Sequence, residues 1–392
     1  MVTVPGFRFS AVAAGIRKDG RIDTALAVAD APATVAGVFT RNLVRAAPVT
    51  LASERIRSGQ ARAVLVNSGC ANACTGEPGM AAAESSSGAV AQALGIDPVA
   101  VLPASTGVIG VVLPANRIVD ASRALVAGLS ADKSDDFARA IMTTDRWPKV
   151  ASTTLSRGGS SATVLAIGKG AGMIHPDVGP PHATMLVFVF TDAQVERGDL
   201  EASLAQACDD TFNCCSVDGD TSTNDTVLAF ASGVSALRVG REELTPALFQ
   251  VCDSLARSMV KDGEGSEHMV EIRVSGLANA EAARAVARTV ATSMLVKTAI
   301  YGRDANWGRL LAAAGRAGIS FDPQQASIRI GDAEIVRDGL STGPAAEARA
   351  SEVLRTEEFS IELSLGTGPG RARYLTSDLG HGYIDVNASY RS

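Results

Sequence analysis

The chain has 392 residues, 36 of them Lys or Arg and 42 Asp or Glu, for a formal net charge of −6. A composition of 46% hydrophobic and 20% charged residues excludes intrinsic disorder. The acidic balance, with no Lys/Arg-rich run, excludes a nucleic-acid footprint. At roughly 150 residues per domain, two or three lobes or one large two-layer unit are expected.

Short apolar runs alternate with turn signals early in the chain, and Val35–Phe39 and Ala63–Val66 read as buried strands. Ala81–Leu94 has helical spacing, and Gly95 follows as its C-terminal cap. The uncharged stretch Pro98–Asn116 invites the membrane question, but its prolines and glycines predict strand, loop and strand. Leu200–Phe212 and Pro246–Val260 are predicted helices. Ala283, Val286, Val290 and Met294 recur at three- and four-residue steps, which predicts one amphipathic helix. Ser327–Ile330 reads as a strand and Ala345–Leu354 as a helix. In Phe359–Leu365 apolar and polar residues alternate, which predicts a half-buried strand. Interleaved strands and helices give an α/β or α+β class. No basic segment precedes an apolar one at the start, so a cytoplasmic protein without membrane partners is expected.

Several chemistries lack their residues. Gly168–Met173 looks like a dinucleotide loop, but Met173 stands where the last glycine belongs. No phosphate-binding P-loop occurs, Asp218–Gly–Asp220 lacks the calcium-loop spacing, and no Gly-x-Ser-x-Gly elbow is present. The six cysteines form no Cys-x-x-Cys pair, so zinc is not expected and the thiols read as buried and reduced. Neither a metal nor a cofactor is expected.

The most informative stretch is Gly168–Asp192. A Gly- and Pro-rich loop ends at Ala183–Thr184, and the apolar run Met185–Phe190 follows at once. A small residue followed by Thr at such a junction suits self-cleavage. The Thr184 hydroxyl attacks the Ala183 carbonyl, the peptide shifts to an ester, and water releases a new N-terminus. The freed Thr184 then carries a nucleophilic hydroxyl and its own base. An α-amine titrates near about 7.7–8.0, far closer to neutral than a lysine. On its own this step is also what a Thr opening any strand looks like.

Motifs along the whole chain decide between the two. They are Gly37–Thr40 with Ala46–Pro48; Val66–Gly69 with Ala71–Gly76; Ser105–Gly110; Ile141–Asp145; Lys169–Pro176; Ala183–Leu186; Asp220–Thr226; Lys261–Gly265; Val296–Thr298; Asn306–Arg309; and Asn387–Tyr390. In these the chain resembles the ornithine acetyltransferase family, the glutamate N-acetyltransferases of arginine biosynthesis. The resemblance implies an N-terminal-nucleophile-like sandwich of mixed sheets between helices. It implies a precursor cut into an α chain, 1–183, and a β chain, 184–392, with a C-terminal α/β lobe from about 277, assembled as a heterotetramer. It implies acetyl transfer from N-acetylornithine to glutamate through acetyl-Thr184, and leaves open whether acetyl-CoA is a further donor.

Roles follow by motif. Thr184 is the cleavage residue and nucleophile, and Thr106 and Gly107 match the oxyanion hole. Thr143, Lys169, Glu264, Asn387 and Ser392 match substrate-binding positions, Glu264 at the amine end. The chain ends in Ser where the family ends in Thr. One departure stands out, a four-residue insertion, Gly179–Pro180–Pro181–His182, just ahead of the scissile bond. Two rivals use the same residues. One is an aminopeptidase or amidase with water as acceptor, and the other is an unprocessed, non-enzymatic relative.

Overall fold

The computed structural model describes residues 2–176, 178–179 and 185–389. The chain forms two compact units, one of Met1–Asn213 with Asp220–Leu255 and one of Cys214–Gly219 with Ala256–Arg391. Each is built on a mixed sheet covered by helices, so the α/β class read from the sequence is the one adopted.

The large sheet of the first unit has nine strands among the described residues. Seven follow the order Val101–Ser105, Gln60–Asn67, Thr24–Thr40, Thr226–Ala231, Leu186–Thr191, Ser160–Lys169, Lys149–Arg157. Phe7–Val12 and Val178–Gly179 pair with the long strand Thr24–Thr40. Leu186–Thr191 is buried at every position, as an unbroken apolar run in a central strand requires. Its even-numbered residues Leu186, Phe188 and Phe190 face a core containing Phe9 and Phe137. Aromatics make up only 4% of the chain, yet seven of its 11 phenylalanines gather in this core. Phe9 and Phe190 meet edge to face at 5.1 Å, a geometry that contributes about 0.5–1.5 kcal/mol beyond area burial.

The second unit orders seven strands as Cys215–Ser216, Gly368–Ser377, Met269–Gly276, Glu358–Ser364, Ser327–Ile330, Ala333–Arg337, Leu340–Ser341. The helix Ala280–Ala291 packs on Met269–Gly276 and Gly368–Ser377 through Ala283, Val286, Ala287 and Val290. In Glu358–Ser364 the residues Phe359, Ile361 and Leu363 are buried, so the predicted alternation is realised.

Three expectations need correction. Pro98–Asn116 holds one strand, Val101–Ser105, and no second; Val111 and Val112 stay exposed, and a helix begins at Ala115. That helix carries Ile118 and Leu125 into the core beside Leu113, the one residue of Val111–Leu113 that is buried. Met294 does not extend the helix of Ala283. That helix ends at Ala291, a second starts at Met294, and Met294 is 70% exposed. The Thr292 hydroxyl donates back to the Arg288 carbonyl, and Ser293 takes extended geometry as an N-cap, which is how such residues end helices. Cys74 is exposed, while the other five cysteines are buried as expected.

The remaining elements match with shifted ends. The helix Gly76–Leu94 closes on Gly95 at φ +67°, the left-handed cap that glycine allows. Leu200–Phe212 is the helix Arg197–Asp210. The helix around Pro246 begins at Arg241, with Glu242 and Glu243 in its first turn where they favour the positive end of the dipole.

Candidate functional site

Strand register builds the first half of the site. Val101–Ser105 runs parallel to Gln60–Asn67 with Ser105 opposite Asn67. The Ser105 hydroxyl therefore donates to Asn67 Oδ1 at 2.6 Å, and Asn67 Nδ2 donates to the Cys70 carbonyl at 2.8 Å. Asn224 Nδ2 bridges the same two segments, donating to the Ala71 carbonyl at 2.6 Å and the Ser105 carbonyl at 2.9 Å. The turn Thr106–Gly107 is held by these bonds and by the Thr106 N–H on the Asn67 carbonyl at 3.0 Å. Gly107 sits at φ +130° with its Cα face against backbone. A Cβ there would lie 2.4 Å from the Gly69 carbonyl carbon and 2.6 Å from the Cys70 nitrogen, so no other residue fits.

A second group forms where two hairpin strands end. Lys149 lies opposite Gly168, the residue before Lys169, and Lys169 lies opposite Leu186, so the two lysines stand in adjacent rows at one end of the sheet. Asp145 lies between them. Its Oδ1 accepts from Lys149 Nζ at 2.6 Å and from the Gly170 N–H at 2.8 Å, and its Oδ2 accepts from the Thr143 N–H at 3.0 Å. Both side chains of the Asp145–Lys149 pair are 0% exposed. Burial pushes the Asp145 carboxyl up, but Lys169, Lys149 and the Thr143 N–H outweigh it and hold the group at about 2.

The two groups meet at Lys169, whose Nζ donates to Thr106 Oγ1 at 3.4 Å across 63 residues of sequence. An ammonium only donates, so the Thr106 oxygen is the acceptor and its own hydrogen remains to be given to another oxygen. Lys169 is 8% exposed, not a solvated surface lysine.

In the second unit, Asn387 Nδ2 donates to Glu264 Oε2 at 2.9 Å and to the Tyr383 carbonyl at 3.0 Å. Thus Thr106, Gly107, Thr143 and Lys169 are collected in one unit, and Glu264 and Asn387 touch in the other. Ala183, Thr184 and Ser392 lie outside the described residues. Among the described residues no group of three or more His, Cys, Asp or Glu side chains is placed to hold a metal, and no helix is long and apolar enough to cross a membrane.

A family model described as "ArgJ family" matches residues 8–392. The chain belongs to the ArgJ family. Arginine biosynthesis bifunctional protein ArgJ of Geobacter sulfurreducens is 47% identical, with 100% of both chains covered. The protein of the same name from Syntrophotalea carbinolica is also 47% identical over 100% of both chains. Among solved structures, arginine biosynthesis bifunctional protein ArgJ of Bacillus halodurans is 37% identical with a TM-score of 0.50, covering 52% of this chain and 98% of that one. The family resemblance carried by the motifs is therefore borne out, and the protein is an acyltransferase of arginine biosynthesis.

Motif reading did not single out Asn67, Asp145, Lys149 or Asn224. Three of the four stood inside motifs quoted for the family, Val66–Gly69, Ile141–Asp145 and Asp220–Thr226. What could have flagged Asp145 is its position, an acid closing an otherwise uncharged run, Ile141–Met–Thr–Thr.

Proposed function

We propose that this ArgJ-family protein cuts itself between Ala183 and Thr184 and then carries an acetyl group on Thr184 from N-acetyl-L-ornithine to L-glutamate. The observation that carries the reading is the Lys169–Thr106 contact beside Gly107. The Thr184 oxygen attacks the acetyl carbonyl, and the α-amine takes the hydroxyl proton. Negative charge builds on the carbonyl oxygen, where the Thr106 hydroxyl and the Gly107 N–H donate. The C–N bond breaks, and ornithine leaves with that proton on its nitrogen. The amine of glutamate attacks the resulting ester, loses a proton to the Thr184 α-amine, and departs as N-acetylglutamate while the Thr184 hydroxyl is restored. One amide replaces another, so no nucleotide is spent.

Lys169 supplies a fixed positive charge for a substrate carboxylate, and Glu264 receives the distal ammonium of ornithine. Asn387 and the Ser392 hydroxyl bind the polar end of the same substrate. Acetyl-CoA is a second acetyl donor for Thr184, the bifunctional form of the activity. The α and β chains assemble as a heterotetramer. The solved relative supports the two-chain form: 98% of that chain corresponds to 52% of this one. A β chain of 209 out of 392 residues would be about 53%.

Intact-mass spectrometry of the purified protein tests cleavage. Chains of 183 and 209 residues are expected, with one added acetyl mass on the 209-residue chain after N-acetylornithine alone. A single full-length mass in an active preparation refutes cleavage, and free acetate in place of N-acetylglutamate refutes the transferase assignment. Thr184→Ala is expected to abolish both cleavage and turnover.

A further inference from the structure

Glu264 and Asn387 come from segments 123 residues apart in sequence and are half-buried and exposed, respectively. Two such side chains do not hold each other in place. What aligns them lies behind. Asp378 stands three residues before the helix His381–Ser389 that carries Asn387, and is only 3% exposed. Its Oδ1 accepts from the backbone N–H groups of Glu267 and His268, both at 3.0 Å, on the loop that carries Glu264.

A second contact zips the same two segments. Gly265 sits at φ +67°, with the place of a Cβ 2.1 Å from the Gly382 carbonyl carbon and from the Tyr383 nitrogen. The loop is closed on itself by Ser266, whose N–H and hydroxyl both donate to the Gly263 carbonyl, at 3.0 and 2.9 Å. His268 is fixed on the far side, its Nδ1 being 2.9 Å from the Thr356 carbonyl; a carbonyl only accepts, so Nδ1 carries the hydrogen.

Asp378 does more than an uncharged acceptor would. Lys297, 4% exposed, is clamped to the residues just before it, with Nζ on Thr376 Oγ1 at 3.1 Å, on Ser377 Oγ at 3.2 Å and on the Ser377 carbonyl. Burial raises the Asp378 carboxyl above its ordinary value, partly offset by the two backbone N–H groups and by Lys297; as a carboxylate it holds backbone N–H groups about twice as strongly as a neutral acceptor does. The second oxygen, Oδ2, is buried and has no hydrogen-bond partner among the described residues. All of the carboxylate's direct bonding is thus spent on the Glu264 loop.

We propose that Asp378 is a positioning residue for substrate selection: by gripping the backbone at Glu267 and His268 it sets the Glu264 carboxylate, with Asn387 on it, for the cationic end of the amino-acid donor. This rests on the assignment of Glu264 to the substrate's distal ammonium. Asp378 touches no substrate. It acts on which donor binds, and the acyl chemistry is left to Thr184 and Thr106.

The test compares two donors, N-acetylornithine and N-acetylnorvaline, which has the same carbon skeleton without the distal amine. Asp378→Asn is expected to raise KM for N-acetylornithine about ten-fold, with kcat within three-fold and kcat/KM for N-acetylnorvaline within two-fold. Glu264→Gln is expected to show the same donor selectivity, and the double variant is expected to be no worse than Glu264→Gln alone. Equal losses on both donors with Asp378→Asn, or multiplicative losses in the double variant, overturn the proposal while Glu264→Gln stays selective. If Glu264→Gln is itself unselective, the assignment of Glu264 falls and the proposal with it. Should Asp378→Asn not fold, Asp378→Glu keeps the charge with a longer arm. Its expected result is a smaller loss confined to N-acetylornithine, and a loss on both donors refutes the proposal.

Discussion

Asp145→Asn takes the carboxylate from Lys149, whose side chain is entirely buried, and removes a charge partner of Lys169. Removing one member of a buried ion pair typically costs about 3–5 kcal/mol, because the other charge stays out of water. The charge balance around Asp145 agrees: holding its carboxyl at about 2 instead of 3.8 is worth on the order of 2–3 kcal/mol. Both point to a loss near 3 kcal/mol in the first unit, or about 6–12 °C in Tm for a domain of that size. Urea unfolding followed by far-UV circular dichroism at a series of pH values reads it. The folded pKa lies below the unfolded one, so the contribution is fully present above about pH 4 and is lost as pH falls through about 2. Wild type and variant should thus differ at pH 6 and converge toward pH 2. A Tm change below about 2 °C with parallel pH profiles would refute the reasoning.

Thr106→Ala removes one donor to the developing oxyanion and should lower kcat about 10²–10³-fold, while Thr106→Ser retains most of it; a loss under ten-fold in steady-state assays would argue against the role. Gly107→Ala places a methyl 2.4 Å from the Gly69 backbone at a positive φ, so activity should fall at least as far as with Thr106→Ala, and Tm should fall too. Burial pushes Lys297 from 10.5 down to about 8, with Asp378 and Asp218 partly offsetting it. In that window the unfolded chain holds the proton and the folded one does not, so stability should rise with pH from about 8 to 10.5. The gain is about 3 kcal/mol, and Lys297→Met should flatten that slope in urea titrations.

Local periodicity made single elements legible. Phe359, Ile361 and Leu363 alternate with polar residues and are buried, because one face of that strand meets the core. It failed where two elements share one apolar stripe. Met294 continues the spacing of Ala283, Val286 and Val290, and only the polar pair Thr292–Ser293 tells that the helix stops between them. In Pro98–Asn116 the same apolar content serves a strand, a turn and a helix start, and residue type alone does not say which.

The site was legible by motif and illegible by physics for a related reason. Charged residues are ordinarily solvated, so an isolated Asp, Lys or Asn carries no local mark of burial. Asp145 becomes a buried anchor only because the register of two hairpins delivers Lys149 and Lys169 to the same end of a sheet. Lys169 reaches Thr106 across 63 residues, and Asp378 grips the Glu267–His268 backbone from 111 and 110 residues away. No window of sequence contains either contact. What a window does contain is the glycine each contact needs. Gly107 and Gly265 both sit at positive φ, and each lies where a Cβ would strike another backbone. In this chain, the glycines beside Thr106 and Glu264 are the sequence's trace of long-range contacts that fix a functional side chain. Substituting either one should disturb the site well before it disturbs the sheet beneath.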